Sequence, residues 1–432
     1  MPQARIILIA LIATSPLILL WDGLIVQGAL AGGIAIALVI TAISLRPGET
    51  QFLVSVIRLV AVVAAVPALW IIFQVLPLRA LAHPIWTSAQ AALGHPLWNS
   101  ISIDPGETLI ALGQYLTFCA VVAVSAAVGV DRARAENVLL ALTAVSAAIA
   151  LIPITRILFI MMDLPQFMQA QTIDCVAMGA IIATASCFCG VERFQLRHRA
   201  PERSPRKRPL VPLIAGGAAL FVCLSALALE GALAGLIAAG CGIAAVLLLM
   251  VIRWFDLGRW GTAGIATAAL FSAVVAILVL AAQPTEHDRT ALLAFSNSPS
   301  AVTERVLKDA PALGTGAETF ALITPVYREI GDPQLDMPES TAAANLAIEL
   351  GRPMLWLITA AIFAAIIVLL RAALYRGRDS FYSAMGAACL IAMLLLAFVN
   401  SGMFGNAAGL ICASVLGLAI AQSKSRVLQQ LT

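Results

Sequence analysis

The stretch "GALAGLIAAGCGIAAVLLLMVI", residues 231–252, runs for 22 residues without one charge and is apolar all round rather than along one stripe. At 1.5 Å of rise per residue, such a helix reaches about 33 Å, enough to cross the hydrocarbon core of a bilayer. Runs of the same kind recur along the whole chain. Of its 432 residues, 61% are hydrophobic and only 11% charged, and the mean hydropathy is +0.98. That composition belongs to a polytopic helical membrane protein and excludes an ordinary soluble one. Charge, Pro and Gly bound about twelve expected spans, near 6–21, 23–45, 53–76, 108–130, 137–161, 172–191, 210–229, 231–252, 262–282, 354–371, 381–400 and 402–422. With no internal repeat, no low-complexity tract and no soluble domain at either end, the expected fold is one all-α membrane domain over 1–432.

Lys and Arg in the connections set the expected orientation. With the N-terminus inside, roughly 19 positive charges face the cytoplasm and about 7 face out, which makes both termini cytoplasmic. The two segments long enough to host chemistry, 77–107 and 283–353, then face outward, the larger inserted between the ninth and tenth spans. Arg5 precedes an apolar run as in a signal peptide, but no small-x-small site precedes Trp21 and Asp22, so the run is expected to stay as a span. The basic cluster "ERFQLRHRAPERSPRKRP" (192–209) lies between two spans, where it anchors topology and meets anionic lipid heads rather than nucleic acid. All eight cysteines fall in spans, so no disulfide framework is readable. Cys187 and Cys189 lack partner ligands and read as packing residues, not a metal site.

The spans are rich in Ala and Gly, which permits close helix approach, and poor in ionisable groups, which speaks against a proton pump or ion channel. Three exceptions stand out. Arg156, in "LIPITRILFIMM", is either a snorkelling arginine or a bundle-facing site residue. Asp174, in "QAQTIDCVAMGA", is expected as a helix cap at the start of the sixth span, with a functional role as the other reading. Glu230, in the turn between spans seven and eight, is either a solvated corner or a functional carboxylate in surroundings too apolar for one.

The 283–353 loop has structure of its own. Ser298-Pro299 opens a short helix that Pro311 stops; Val302 and Val306 share one face, Arg305 and Asp309 an adjacent one. "ALGTGAETF" follows as a glycine turn whose exposed amides suit an anion, though it is neither a dinucleotide fingerprint nor a phosphate loop. Asp336 and Glu339 have capping-box spacing for a second helix that ends at Gly351, with Pro353 beyond. Two helices flanking a glycine turn make a lid or platform. It suits a lipid-linked substrate whose charged head sits at the membrane surface, where an arginine fork pairs two phosphate oxygens. Arg156, Arg289, Arg305, Arg328 and Arg352 lie at that depth, each with a local salt bridge as the alternative reading, for instance Arg289 with Glu286.

The order of features resembles the bacterial O-antigen ligase and O-antigen/exopolysaccharide polymerase family. The resemblance rests on "ISIDPGETLIAL" (101–112), "ERVLKDAPALGTGAETFALITPVYR" (304–328) and "NLAIELGRPMLWLI" (345–358), and its specific motif is matched by Arg305, Pro311, Gly314, Gly316, Phe320, Tyr327, Glu349 and Gly351. The chain departs from the family at three places. Ser340-Thr341 stands where the family has His-Asn, Leu229-Glu230-Gly231 stands for Ser-Arg-Gly, and "TIDCVA" replaces an asparagine-rich start of span six.

The resemblance implies a multi-pass protein of the bacterial cytoplasmic membrane that transfers glycan at its outer face. The reducing-end sugar would leave a polyprenyl diphosphate, attacked by a hydroxyl of an acceptor glycan. Polymerisation of exopolysaccharide or O-antigen repeat units is the leading expectation. Ligation to lipid A core and a non-catalytic glycolipid-binding or transport protein are the alternatives. In the transferase reading Arg305, with Arg156 or Arg289, meets the diphosphate alongside Gly314, Gly316 and Tyr327; Glu230, Glu339 or His287 takes the proton. No cofactor and no metal are expected. The implied partners are the lipid-linked donor, the acceptor glycan and membrane lipid, with a flippase and a chain-length regulator as accessory proteins and no nucleic acid.

Overall fold

The computed structural model describes residues 2–21, 23–45, 47–159, 166–199, 210–254, 301–327, 340–375 and 379–423. Among these residues all regular structure is helical, and ten helices are long and apolar enough to cross a membrane. The protein is thus a multi-pass helical membrane protein. In chain order the helices are α1 (Pro2–Ala13), α2 (Ser15–Leu20), α3 (Leu24–Ser44), α4 (Pro47–Val75), α5 (Ile85–Leu93), α6 (Pro105–Gly129), α7 (Arg132–Phe159), α8 (Gln166–Arg199), α9 (Leu210–Leu229) and α10 (Leu233–Trp254). Then come α11 (Ala301–Asp309), α12 (Phe320–Ile323), α13 (Ala342–Glu349), α14 (Arg352–Tyr375), α15 (Ser380–Ala397) and α16 (Asn406–Ala421).

Most expected spans coincide with these helices, and the differences have local causes. The first is interrupted at Thr14, two residues before Pro16, which has no amide to donate to the Ile12 carbonyl; the Thr14 hydroxyl bonds the Leu11 carbonyl at 2.6 Å. The fourth begins at Pro105 rather than 108: the Asp104 carboxylate accepts from the amides of Gly106 (2.8 Å) and Glu107 (3.2 Å), satisfying donors that a helix start leaves open. The ninth, 262–282, lies outside the described residues. The last, α16, is 16 residues long.

The bundle centres on α8 and α15, which are buried over most of their apolar length, while α3, α4 and α14 turn large apolar side chains such as Ile25, Leu69 and Phe363 outward. Small residues allow that density. A β-carbon on Gly190 would meet the Leu213 backbone nitrogen at 2.8 Å, and one on Gly216 would meet the Ala183 carbonyl and the Cys187 nitrogen at 2.8 Å. Helices α8 and α9 therefore touch backbone to backbone, as expected of an Ala/Gly-rich membrane pair. The eight cysteines are free thiols; Cys187 and Cys223 donate weakly to the carbonyls of Leu213 and Ser146, in keeping with packing roles.

Polar contacts sort the helix ends into two sets. At one end, Arg132 pairs with Asp379 at 2.7 Å, Arg193 pairs with Glu136, the Asp379 amide reaches Glu192, and Arg253 acts on Glu192 as well. At the other end lie Gln74, 98–108, Arg156, Glu230, 311–327, 340–352 and 398–405. The described chain leaves α10 at the first end and resumes with α11 at the second.

Candidate functional site

The second end is organised by side chains that reach main-chain groups far away in sequence. Gln74, in the last turn of α4, is fully buried, and its Nε2 donates to the carbonyls of Leu313 and Glu349, each at 2.9 Å. One turn earlier, Trp70 Nε1 donates to Leu350 O at 2.9 Å. The entry to α6 closes the other side: Ser102 N bonds Gln74 O and Ile103 N bonds Thr315 O. Thr108 Oγ1 donates to Ala317 O at 3.1 Å and lies 2.8 Å from Ser102 Oγ.

Between these walls sits the glycine turn. Gly314 and Gly316 have φ of +81° and +111°, a region that L side chains rarely adopt. A β-carbon on Gly314 would collide with the Glu349 carbonyl, and one on Gly316 with Ser102. The expected exposed amides are not there. Gly314 N donates to Pro311 O, Thr315 N to Ile348 O and Gly316 N to Glu349 O, all at 3.0 Å, and residues 314–317 are buried. Glycine is needed for close backbone approach, and the turn's donors are consumed within the fold. This corrects the reading of Gly314 and Gly316 as anion-binding.

The platform around the turn follows its expected logic at α11 and departs from it at α13. Val302 and Val306 are buried against Phe320 and Ile348, leaving Arg305 and Asp309 on the exposed side. Tyr327, the last residue of a short 3-10 turn over Thr324–Tyr327, lies beside Asp309; partial burial and that carboxylate raise its phenol above the ordinary range. Helix α13 begins at Ala342, not at Asp336: the Thr341 hydroxyl accepts from the Ala344 amide at 3.1 Å and is the true cap. Asp336 and Glu339, His287 and Arg289, and also Arg328, lie outside the described residues. Arg352 donates to the Leu307 carbonyl at 2.9 Å, which fixes α14 to α11.

At the far end of α13, Glu349 is buried. Its carboxylate accepts from the Phe320 amide at 3.2 Å and also meets the Glu318 amide. Burial, then the neighbouring Glu318 carboxylate, push its pKa up to about 8. Glu318 itself holds a left-handed φ of 60°, so this carboxyl grips a strained turn.

Arg156 and Glu230 were separate candidates in the sequence, and the fold pairs them. Arg156, near the end of α7, meets Glu230 Oε1 at 3.2 Å, with the carboxylate side chain 3% exposed and the guanidinium 22%. Glu230 is therefore no solvated corner, and Arg156 does not merely snorkel. Burial raises the Glu230 pKa more than Arg156 lowers it. Asp174 is corrected too: it lies about two turns inside α8, since helix formation starts at the polar "QFMQAQ" rather than at the apolar run. It is buried and accepts from Asn400 Nδ2 at 2.8 Å. Asn400 O in turn accepts from the Ala342 amide at 2.8 Å, linking the α8 region to the platform.

Gln74, Thr108 and Asn400 were missed as organising residues. The available signal was polarity where apolar runs end: Gln74 stands in "WIIFQVLP" and Asn400 in "LLLAFVNSG". Among the described residues no group of three or more His, Cys, Asp or Glu side chains is placed to hold a metal ion. No family model matches the chain, and no curated protein matches it.

Proposed function

We propose that the protein is a membrane glycan transferase that polymerises polyprenyl-diphosphate-linked repeat units of exopolysaccharide or O-antigen at the outer face of a bacterial cytoplasmic membrane. The observation that carries the reading is the presentation of Arg305. It stands exposed on a helix whose opposite face is packed into Phe320 and Ile348, on a platform bonded to the ends of α4, α6 and α14. A rigidly mounted guanidinium at span-end depth is what a diphosphate head group with its tail in the bilayer requires.

In this reading the bond between the sugar's anomeric carbon and the diphosphate breaks, the diphosphate leaves with the electron pair, and an acceptor hydroxyl forms the new glycosidic bond as its proton passes to a base. Arg305 matches the charge that develops on the leaving group. Glu230, already paired with Arg156, keeps that arginine in place as a second cation. The proton acceptor is then sought in Glu339 and His287.

A specific observation also favours the second, non-catalytic reading. Where the resembled family has His-Asn, Thr341 uses its hydroxyl to cap α13, so the usual acceptor-side pair has no counterpart there. The experiment is glycan profiling of a strain lacking the protein, complemented with wild type, Arg305→Ala or Glu230→Gln at matched membrane levels. Accumulation of single lipid-linked repeats with Arg305→Ala is the expected result. Long chains that form but never reach lipid A core would replace polymerisation with ligation, and wild-type profiles from every variant would end the transferase reading.

A further inference from the structure

The connection from α4 to α6 holds a feature that the reading above does not use. Helix α5 has no buried residue. Yet it is firmly attached along one side: Trp86 Nε1 donates to Ser102 O at 3.1 Å, and Gln90 Nε2 bonds Asn99 Oδ1 at 2.7 Å. Beyond α5, Trp98 Nε1 donates to Val75 O, the last residue of α4, at 2.8 Å. The indole rings are thus pinned at the level where the α4 span ends.

Beside the exposed Arg79, Thr87, Ser88 and His95, the segment exposes large apolar side chains. Leu81, Ile85, Leu93 and Trp98 are 45%, 46%, 60% and 55% exposed. At 100° per residue Ile85, Ala89 and Leu93 fall within one quadrant of α5, while Thr87 points nearly opposite. The apolar strip follows on from the outward face of α4, where Leu69 and Ile72 are exposed, and from Leu76 just beyond it, which is exposed as well. From Pro77 to Ile103 there is no Asp or Glu, and the only ionisable groups are Arg79, His83 and His95.

We infer that residues 78–98 form an interfacial foot, embedded edge-on in the head-group boundary of the bilayer, with phospholipid as its partner. Continuity with the lipid-facing side of α4 supplies the apolar half of the argument. The missing carboxylates supply the other, since an acid-free, weakly basic segment is compatible with anionic head groups. An indole such as that of Trp98, with its N–H bonded and its apolar body exposed, is the side chain found at that depth. The foot would set how deep the Gln74 layer lies relative to the lipid phosphates.

The test uses the full chain in nanodiscs of phosphatidylcholine and phosphatidylglycerol. Ile85→Cys, Leu93→Cys and Thr87→Cys are each reacted with a membrane-impermeant maleimide, with the unsubstituted chain as background. Thr87→Cys is expected to react at least about ten-fold faster than the other two, because a thiol in the lipid boundary is shielded from water and rarely ionised. Equal rates at all three positions would overturn the inference. Protection by another protein copy is separated by lipids brominated near the head-group end of their chains. The fluorescence lost in Trp98→Phe should be quenched in wild type by those lipids, and an unquenched Trp98 would also overturn it.

Discussion

Replacing Glu349 by glutamine should remove a pH dependence from the protein's stability. In the fold this carboxyl has its pKa pushed up to about 8, against an ordinary value of 4.5. Between those two values the folded chain holds a proton that the unfolded chain has released, so stability falls as pH rises through this window and the loss is complete above the folded value. One pH unit corresponds to about 1.4 kcal/mol for a single group. From pH 6 to pH 8, where the folded carboxyl begins to ionise, the wild type should therefore lose roughly 2 kcal/mol. Glutamine keeps the oxygen that accepts from the Phe320 amide and never ionises, so its stability should be nearly flat over that interval. The buried thiols of Cys175, Cys189, Cys223 and Cys389 offer the assay: a thiol-reactive dye reports their exposure as detergent-solubilised protein is heated. Wild type and variant are compared at each pH, which cancels the dye's own pH response. If the two melting points fall in parallel between pH 6 and pH 8, the buried, protonated state assigned to Glu349 is wrong.

Two further outcomes follow from the same end of the bundle. Gly314→Ala should cost about 3 kcal/mol or more, since its β-carbon overlaps the Glu349 carbonyl at a left-handed φ, and it should show as a lowered melting point in the same thiol assay. Arg156→Ala should cost roughly 3 kcal/mol by leaving Glu230 buried without its partner, and adding Glu230→Gln should recover much of that loss; additive melting-point shifts would show that the pair is not coupled.

The spans were legible because length and all-round apolarity are local properties: α9 falls on 210–229, and the run at 231–252 falls on α10. The buried pair Val302 and Val306 was legible for the same reason, as a four-residue repeat on one helix face. What sequence hid was partnership across distance. Arg156 and Glu230 are 74 residues apart, and nothing in "ITRIL" or "ALEGA" names the other. The glycine turn read in isolation has free amides. Only the return of Ile348 and Glu349 onto it reveals that those donors are taken. Asp174 was misplaced for a smaller reason, because polar residues at 166–171 hid the true start of α8.

The ties that hold the platform in place have a direction. Trp70, Gln74, Thr108 and Arg352 each supply a side-chain donor, and in every case the acceptor is a main-chain carbonyl: that of Leu350, of Leu313 and Glu349, of Ala317 and of Leu307. A carbonyl is present whatever residue carries it. Four donor positions are therefore held under constraint, while receiving positions such as Leu307 and Leu313 can change identity without loosening the bond. Mutational drift can reshape the side chains around Arg305 while its mounting stays fixed, so this surface can change in single steps that do not first unfasten the scaffold.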